Sequence, residues 1–405
     1  MNILGKNWIM LFLYFCLNFI NGAVFCAFSS ISEEAEKYYN ANEDQITMFI
    51  TSFMITSIAS APITPWILSK SYHWTMMASW ISAFVGCWVK YLAGHDYYIA
   101  LFGQFIFAST NMLILCGCLT LAFLWFQQED QGIAIAVGSI SNFIGMGTSF
   151  ILGPYVKNIP ILNLSHAVFS TIVTSLNILC SSKDPLKRKE SDMLRGAITL
   201  IKDPMMMCIV FCSGSGIGIS YALIGVLSLI LEHNGITMIQ VGWLGFIMSF
   251  SGLTGGLIAS YIAMRYNSVL WSLRVFLIMS IASIMVWASL DGDYIVSIFG
   301  SMIVGFGLIG HIPLGIRAAL QQNSKLEESI PSNMIFFLAT LFGLIYTYPI
   351  ISFYELSNLS ALWMIGILTS VSFGIFFIIS YKIPNTQIKI DDSSTLNSEN
   401  PKIND

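Results

Sequence analysis

Asn21, Gln104, Asn111, Asn142 and Thr340 place amides and a hydroxyl inside long apolar runs, where an unpaired polar group is costly. Such groups either orient a small polar solute by hydrogen bonds or bond a neighbouring helix. Tyr221 sits in Gly214-Ser-Gly-Ile-Gly-Ile-Ser-Tyr-Ala222, whose small residues are expected to leave its ring facing a cavity. His166 and His311 are the imidazoles in these runs, the side chains able to titrate near neutral pH. His166 lies near the outer end of a run and reads as interfacial. His311, in Gly307-Leu-Ile-Gly-His-Ile-Pro-Leu-Gly315, lies deeper and reads as packing beside a Pro–Gly break ahead of a proton relay. No Asp or Glu is expected at mid-depth: Glu355 is at an outer end, and Glu129, Asp130, Glu232 and Asp291 lie in or beside connections. Ion coupling usually uses a buried ionisable group, so the pattern points to facilitated movement. Enzymatic chemistry is not expected, because no His-Glu-x-x-His, Gly-x-Ser-x-Gly or buried aspartate pair occurs in the runs. The eight cysteines read as small packing residues. Cys116 and Cys118, two apart, point to different helix faces, so neither a metal nor a cofactor is expected.

The elements that must hold these groups are helices. Between Asn7 and Tyr381 about twelve apolar stretches alternate with short polar breaks. Each approaches the roughly 20 residues that a helix needs to cross a bilayer. The spans run over 7–30, 45–68, 74–93, 98–126, 132–156, 161–180, 204–231, 239–264, 269–290, 294–320, 333–355 and 359–381. Of 405 residues 56% are hydrophobic and only 10% charged, and the mean hydropathy is +0.74. A soluble domain carries about a quarter charged residues. The net charge of −4 and the lack of a basic run interleaved with aromatics exclude nucleic acid as a partner.

Of the 18 Lys and Arg residues, only Lys37, Lys90 (at a span end) and Lys157 fall on the side of the odd-numbered connections. The opposite side, with both termini, is therefore expected to be cytoplasmic. The first run is too long for a cleavable signal and is expected to remain as a helix. The sequons at Asn163 and Asn358 fall outside, each against a membrane boundary, and read as unmodified.

Residues 181–203 form the long internal connection, with a charged run, Lys183-Asp-Pro-Leu-Lys-Arg-Lys-Glu190, and an amphipathic piece at 193–201. Asp203-Pro204 suits the start of the next helix. This divides the chain into a six-helix bundle over 1–180, a cytoplasmic linker over 181–203, a second six-helix bundle over 204–381 and a disordered tail over 382–405. Two bundles joined by a basic linker are the layout of a transporter with its site at mid-membrane.

The ordered segments resemble the feline leukaemia virus subgroup C receptor-related (FLVCR) family of the major facilitator superfamily. The resemblance rests on Asn21-Gly-Ala-Val-Phe-Cys-Ala-Phe-Ser-Ser-Ile-Ser32 in the first span and Trp80-Ile-Ser-Ala-Phe-Val-Gly-Cys-Trp-Val-Lys90 in the third. Gly103-Gln104 with Asn111, Ser141-Asn-Phe-Ile-Gly145 and Ile312-Pro-Leu-Gly315 extend it through the fourth, fifth and tenth. It implies an all-α membrane protein with about twelve transmembrane helices in two six-helix bundles, working by alternating access. In family members that carry choline an aromatic cage and glutamines line the cavity. The cage Trp falls on Phe25 and the Tyr on Tyr221, while the two glutamines fall on Phe143 and Thr340. Phe is a weaker cation–π partner than Trp, and both amides suited to a hydroxyl are lost, so the fold carries over more directly than choline as cargo. The signature Gly-x-x-x-Asp-Arg between the second and third spans reads Pro65-Trp-Ile-Leu-Ser-Lys70, and its second-half counterpart keeps Arg265 without an acidic partner. The family's tenth-span Glu falls on Arg317. Lys70, Arg265 and Arg317 are therefore candidate gate residues with altered ion pairing.

Phe25, Asn111, Asn142, Phe143, Tyr221 and Thr340 are the candidate solute contacts. Phe25 and Tyr221 would stack on the solute, the amides and hydroxyl would orient it, and Phe143 would shape the wall. The expected activity is carriage of a small organic solute, choline- or ethanolamine-like ahead of haem, by a monomer in the bilayer. The cell surface is favoured over an endolysosomal or other internal membrane. The alternative is a receptor or sensor that keeps the fold without turnover.

Overall fold

In a computed structural model of the chain, the described residues are 3–185, 193–232, 236–266, 268–289, 294–322, 327, 329–354 and 358–382. Their secondary structure is helical throughout. The first crossing is α1 (Ile3–Phe25). A short helix, α2 (Ser32–Tyr39), follows it, then α3 (Glu43–Ser60) and α4 (Thr64–Lys70), one crossing bent by 72°. α5 (Tyr72–Leu92) is the third. α6 (Tyr97–Ala108) and α7 (Asn111–Trp125) form the fourth, interrupted at Ser109 and Thr110. α8 (Gln128–Val156) and α9 (Ile159–Cys180) complete the first half. α10 (Met193–Lys202) is the amphipathic piece of the linker. α11 (Pro204–Glu232), α12 (Met238–Arg265) and α13 (Val269–Ser289) lead to a tenth crossing built from α14 (Tyr294–Val304), a π-helical turn at Gly305–Ile309 and α15 (Ile312–Gln322). α16 (Ser329–Tyr354) and α17 (Asn358–Lys382) are the last two.

Ten of these crossings are long and apolar enough to traverse a bilayer, and the bent α3–α4 pair makes an eleventh. The twelfth is α5, whose 21 residues suffice in length but are diluted by Trp74, Trp80, Trp88 and Lys90. Outward-facing Phe102, Ile172, Ile278 and Ile378 are each more than half exposed, which suits lipid and not water. The chain is a multi-pass membrane protein.

Helix starts follow local chemistry. Asn42 and Gln45 form a reciprocal capping box at α3, with bonds of 3.0 and 2.9 Å. Asp203 Oδ1 accepts the Met205 and Met206 N–H groups at 3.0 Å, as Asp203-Pro204 suggested. Asp184 of the linker reaches back to the start of α5: its carboxylate accepts from Ser71 Oγ (3.1 Å) and the His73 N–H (2.9 Å). A linker carboxylate thus caps a helix next to the segment whose signature acid is missing. The rest of the charged run (186–190), Asp291, Glu355 and the tail from 383 lie outside the described residues, as do the side chains of Glu232 and Asn358.

Packing builds the cavity walls. α1 and α8 cross so closely that a Cβ at Gly22 would strike the Asn142 carbonyl, and one at Gly145 that of Phe19. α11 and α16 make the corresponding contact in the second half, and α8 against α12 forms the long seam between halves. A satellite core of Phe28, Ile31, Tyr39, Phe49 and Tyr97 closes the outer end of the first half beneath α2.

Candidate functional site

A cavity lies between the halves, lined from six crossings. α1, α7 and α8 each present a pair one helical turn apart, with an asparagine first: Asn21 and Phe25, Asn111 and Leu115, Asn142 and Met146. This i, i+4 spacing puts both members on one face. α3 contributes Phe53 and Met54, α11 contributes Tyr221, and α16 contributes Thr340. None of these lining residues is charged.

The amides form two hydrogen-bonded sets. Asn21 Nδ2 donates to Asn111 Oδ1 at 2.6 Å, and Asn111 Nδ2 donates to Ser57 Oγ at 2.6 Å. Asn142 Nδ2 donates to the backbone and side-chain oxygens of Asn18 at 3.2 and 3.3 Å, and Asn18 Nδ2 donates to the Gly138 carbonyl at 2.9 Å. Asn21 Oδ1 remains buried without a partner. Four helices are tied at mid-depth, and one acceptor is left over.

Aromatic rings from both halves gather beside these amides. Tyr221 stacks on Phe143 with centroids 5.5 Å apart and planes at 17°. Phe25 lies 6.0 Å from Tyr221 and meets Phe53 edge-on at 5.7 Å. The space among the lining groups is about 290 Å³ but thin, with central room for roughly one water molecule. Gly225, one turn beyond Tyr221, is exposed and has nothing within 4 Å of where a Cβ would stand, so no helix packs against this part of α11. At the other end the start of α16 packs against α3, α4 and α7.

Five of the six expected solute contacts thus line the cavity, and Phe143 stands behind Tyr221 as part of the wall. Asn21, Phe53, Met54, Leu115 and Met146 line it in addition. Leu115 and Met146 were signalled by their spacing from Asn111 and Asn142; Phe53 and Met54 carried no comparable mark. Thr340 Oγ1 donates to the Phe336 carbonyl at 2.9 Å, so its hydroxyl hydrogen is engaged within α16.

Among the described residues, no ion pair draws the candidate gate residues together. Lys70 Nζ sits 4.3 Å from the Trp66 ring centroid, and Arg265 is exposed. Arg317 Nη1 is buried without a hydrogen-bond partner, in the space left by Gly132. Among the described residues the ion pair is Lys37 with Glu33, at 3.8 Å.

Two side chains are more enclosed than their places near span ends suggest. Lys90, in the last turn of α5 as expected, is 2% exposed, its ammonium donates to Gln104 Oε1 at 2.9 Å, and it faces the Phe28 and Phe49 rings at 4.2 and 5.1 Å. Gln104 is oriented for this because its Nε2 donates to the Val24 and Phe49 carbonyls at 3.2 and 3.0 Å. His166 is also buried, not interfacial, because α9 packs along α5 and α2 covers its outer end. His311 is wholly buried at the break in the tenth crossing, with Nδ1 2.5 Å from the Leu308 carbonyl and its ring against Phe373.

The Major Facilitator Superfamily model matches residues 10–329. An uncharacterized MFS-type transporter of Caenorhabditis elegans is 23% identical over 375 residues, covering 85% of this chain and 64% of that protein. The human choline/ethanolamine transporter FLVCR2 is also 23% identical, with 84% of this chain and 71% of that protein covered. A solute carrier family 49 member 4 homolog of Xenopus tropicalis is 19% identical, with 84% of each covered. The resemblance seen in the spans therefore extends over most of the chain, which spans about two thirds of the length of the first two relatives. Among solved structures, the Escherichia coli fucose:proton symporter FucP superposes with a TM-score of 0.71 at 13% identity, covering 93% of this chain and 99% of that one. A second FucP structure, described as the outward conformation, gives 0.68 at 14% identity, covering 92% and 99%.

Proposed function

The chain belongs to the Major Facilitator Superfamily, and we propose that it is a facilitative solute carrier for a small amino alcohol of the choline and ethanolamine class. The observation that carries this is the pairing of aromatic rings from both halves, Phe25 and Phe143 with Tyr221, beside asparagine amides that line the same cavity. An organic ammonium is attracted to ring faces, and a hydroxyl suits the amides. Relatives named as choline/ethanolamine transporters support the class. With no carboxylate in the lining, a charged residue gives no handle for ion coupling there.

Transport follows by rocking of the two halves, 1–180 and 204–381, about the α8–α12 seam. The rings part to admit the solute from outside, close on it, and part again towards the cytoplasm. Arg317, Arg265 and Lys70 lie near the cytoplasmic ends of their helices and act in closing that side. The carrier works as a monomer in the plasma membrane with both termini cytoplasmic, and it is not an enzyme. Haem is the poorer cargo, since no imidazole is among the lining residues to ligate iron.

Uptake of labelled choline and ethanolamine into proteoliposomes, by wild type and Tyr221→Ala, tests this reading. Saturable wild-type uptake that falls in the variant supports it. Equal uptake by both removes the cage, and binding without flux favours a non-transporting receptor.

A further inference from the structure

The carbonyl of Ala61 lies at the 72° bend between α3 and α4. In a continuous helix it would accept the N–H of the residue four places on. That residue is Pro65, which has none. The bend therefore leaves a buried carbonyl in need of a donor from elsewhere. The donor comes from the other half of the molecule: Asn333 Nδ2, in the first turns of α16, bonds the Ala61 oxygen at 3.0 Å. The remaining acceptor of the same amide faces the first half again, where the Cys116 thiol of α7 donates to Asn333 Oδ1 at 3.8 Å. Ala61 is 3% and Cys116 0% exposed, so neither has water as an alternative while the halves are closed here.

We infer that Asn333 is a positioning residue of the transport cycle: its amide latches the cytoplasmic side shut, and the cycle proceeds inwards when that amide lets go. The inference rests on the carrier reading and on the orientation proposed with it. Its physical content is a difference between two conformations. When the halves meet, the Ala61 carbonyl has only Asn333; when they part, water enters and replaces it. Removing the amide leaves a buried acceptor unpaired in the closed form alone, which shifts the balance towards opening. The latch occupies the place where the family's ion-paired signature is lost, and it uses the bend at Pro62 and Pro65, the second of which opens the altered segment.

Cys116 supplies the readout, because opening uncovers it. The test is labelling by a membrane-impermeant maleimide applied to the proposed cytoplasmic face, in a Cys180→Ser background because Cys180 is exposed, with sites mapped by mass spectrometry. Asn333→Leu keeps the volume and removes the amide. It is expected to speed Cys116 labelling about tenfold or more. Cys118 is the internal control, since its thiol points to the Ile135 carbonyl (3.5 Å) within the first half and reacts only on unfolding. Unchanged labelling of Cys116, or equal acceleration of Cys116 and Cys118, overturns the inference. A second variant, Asn333→Cys, is treated with copper–phenanthroline, which takes one electron and one proton from each thiol to form a bond to Cys116. The cross-linked protein is expected to lose at least four fifths of its uptake and regain it with dithiothreitol. No cross-link, or a cross-linked protein that still transports, overturns it. Labelling requires no solute, so failure of the carrier reading would show separately, as wild-type protein without uptake.

Discussion

Tyr221 on α11 lies flat against Phe143 on α8, with centroids 5.5 Å apart, across the boundary between the two halves. Stacked aromatic surfaces attract each other by about 1 kcal/mol beyond their buried area. In this conformation the rings satisfy one another, and the cavity beside them is thin. On the proposed reading, a solute that enters meets Tyr221 with Phe143 backing it, and an ammonium gains the negative face of a ring that an uncharged apolar solute would merely cover.

Tyr221→Ala is expected to weaken binding of an organic ammonium by about 2 kcal/mol, roughly 30-fold, the scale of a desolvated cation–π contact. Tyr221→Phe keeps the ring and should retain most of the affinity. Isothermal titration with choline and ethanolamine measures both. Equal loss in the two variants would assign the effect to the hydroxyl and not to the ring face.

Gly145→Ala is expected to destabilise the first half by about 3 kcal/mol, the upper end for overpacking, because the added methyl meets the Phe19 backbone and no side chain can turn away. Gly374→Ala, with nothing within 4 Å, serves as the control. Melting in detergent should fall for the first and stay unchanged for the second.

How far these positions were legible in the chain depends on what marked them. Asn111, Asn142 and Tyr221 stood out because a bilayer penalises polar groups, so their retention in apolar runs needs a reason. Asn21 was visible as a polar residue, but its place in the cavity depends on α1 crossing α8 at Gly22 and Gly145. Phe53 and Met54 look like any apolar pair, and only the packing of α3 turns them inwards. Lys90 was placed at a span end because the length of α5 ends there. That its long side chain is enclosed depends on Gln104 of α6, Phe49 of α3 and Phe28 in the turn after α1, none of them near it in sequence. The break in the fourth crossing was hidden, since Ser109-Thr110 carries neither Pro nor Gly, whereas the tenth-span break beside His311 was legible and only its π-helical form was not.

The sequon at Asn163 is expected to stay unmodified. Its side chain is 3% exposed and donates to Tyr39 Oη at 3.0 Å, beneath α2, leaving no space for a sugar. Asn163→Gln should therefore migrate on a gel like wild type from a glycosylating host. A faster band for the variant would mean that the segment is reached before α2 closes over it.

Lys90 and Gln104 should behave as a coupled pair. Gln104→Leu removes the acceptor from a buried ammonium and the donor from two carbonyls, at an expected cost of about 3 kcal/mol. Lys90→Met removes the ammonium itself and its desolvation, while the remaining side chain still packs on Phe28 and Phe49, so its cost should be about 1 kcal/mol. In the double variant no ammonium is left needing an acceptor, and the cost should fall below the sum of the single changes by about 1–2 kcal/mol. Chemical or thermal unfolding of the four proteins measures this coupling. Strict additivity would mean that the ammonium is held by the two aromatic rings alone, and that Gln104 matters only to the backbone of α1 and α3.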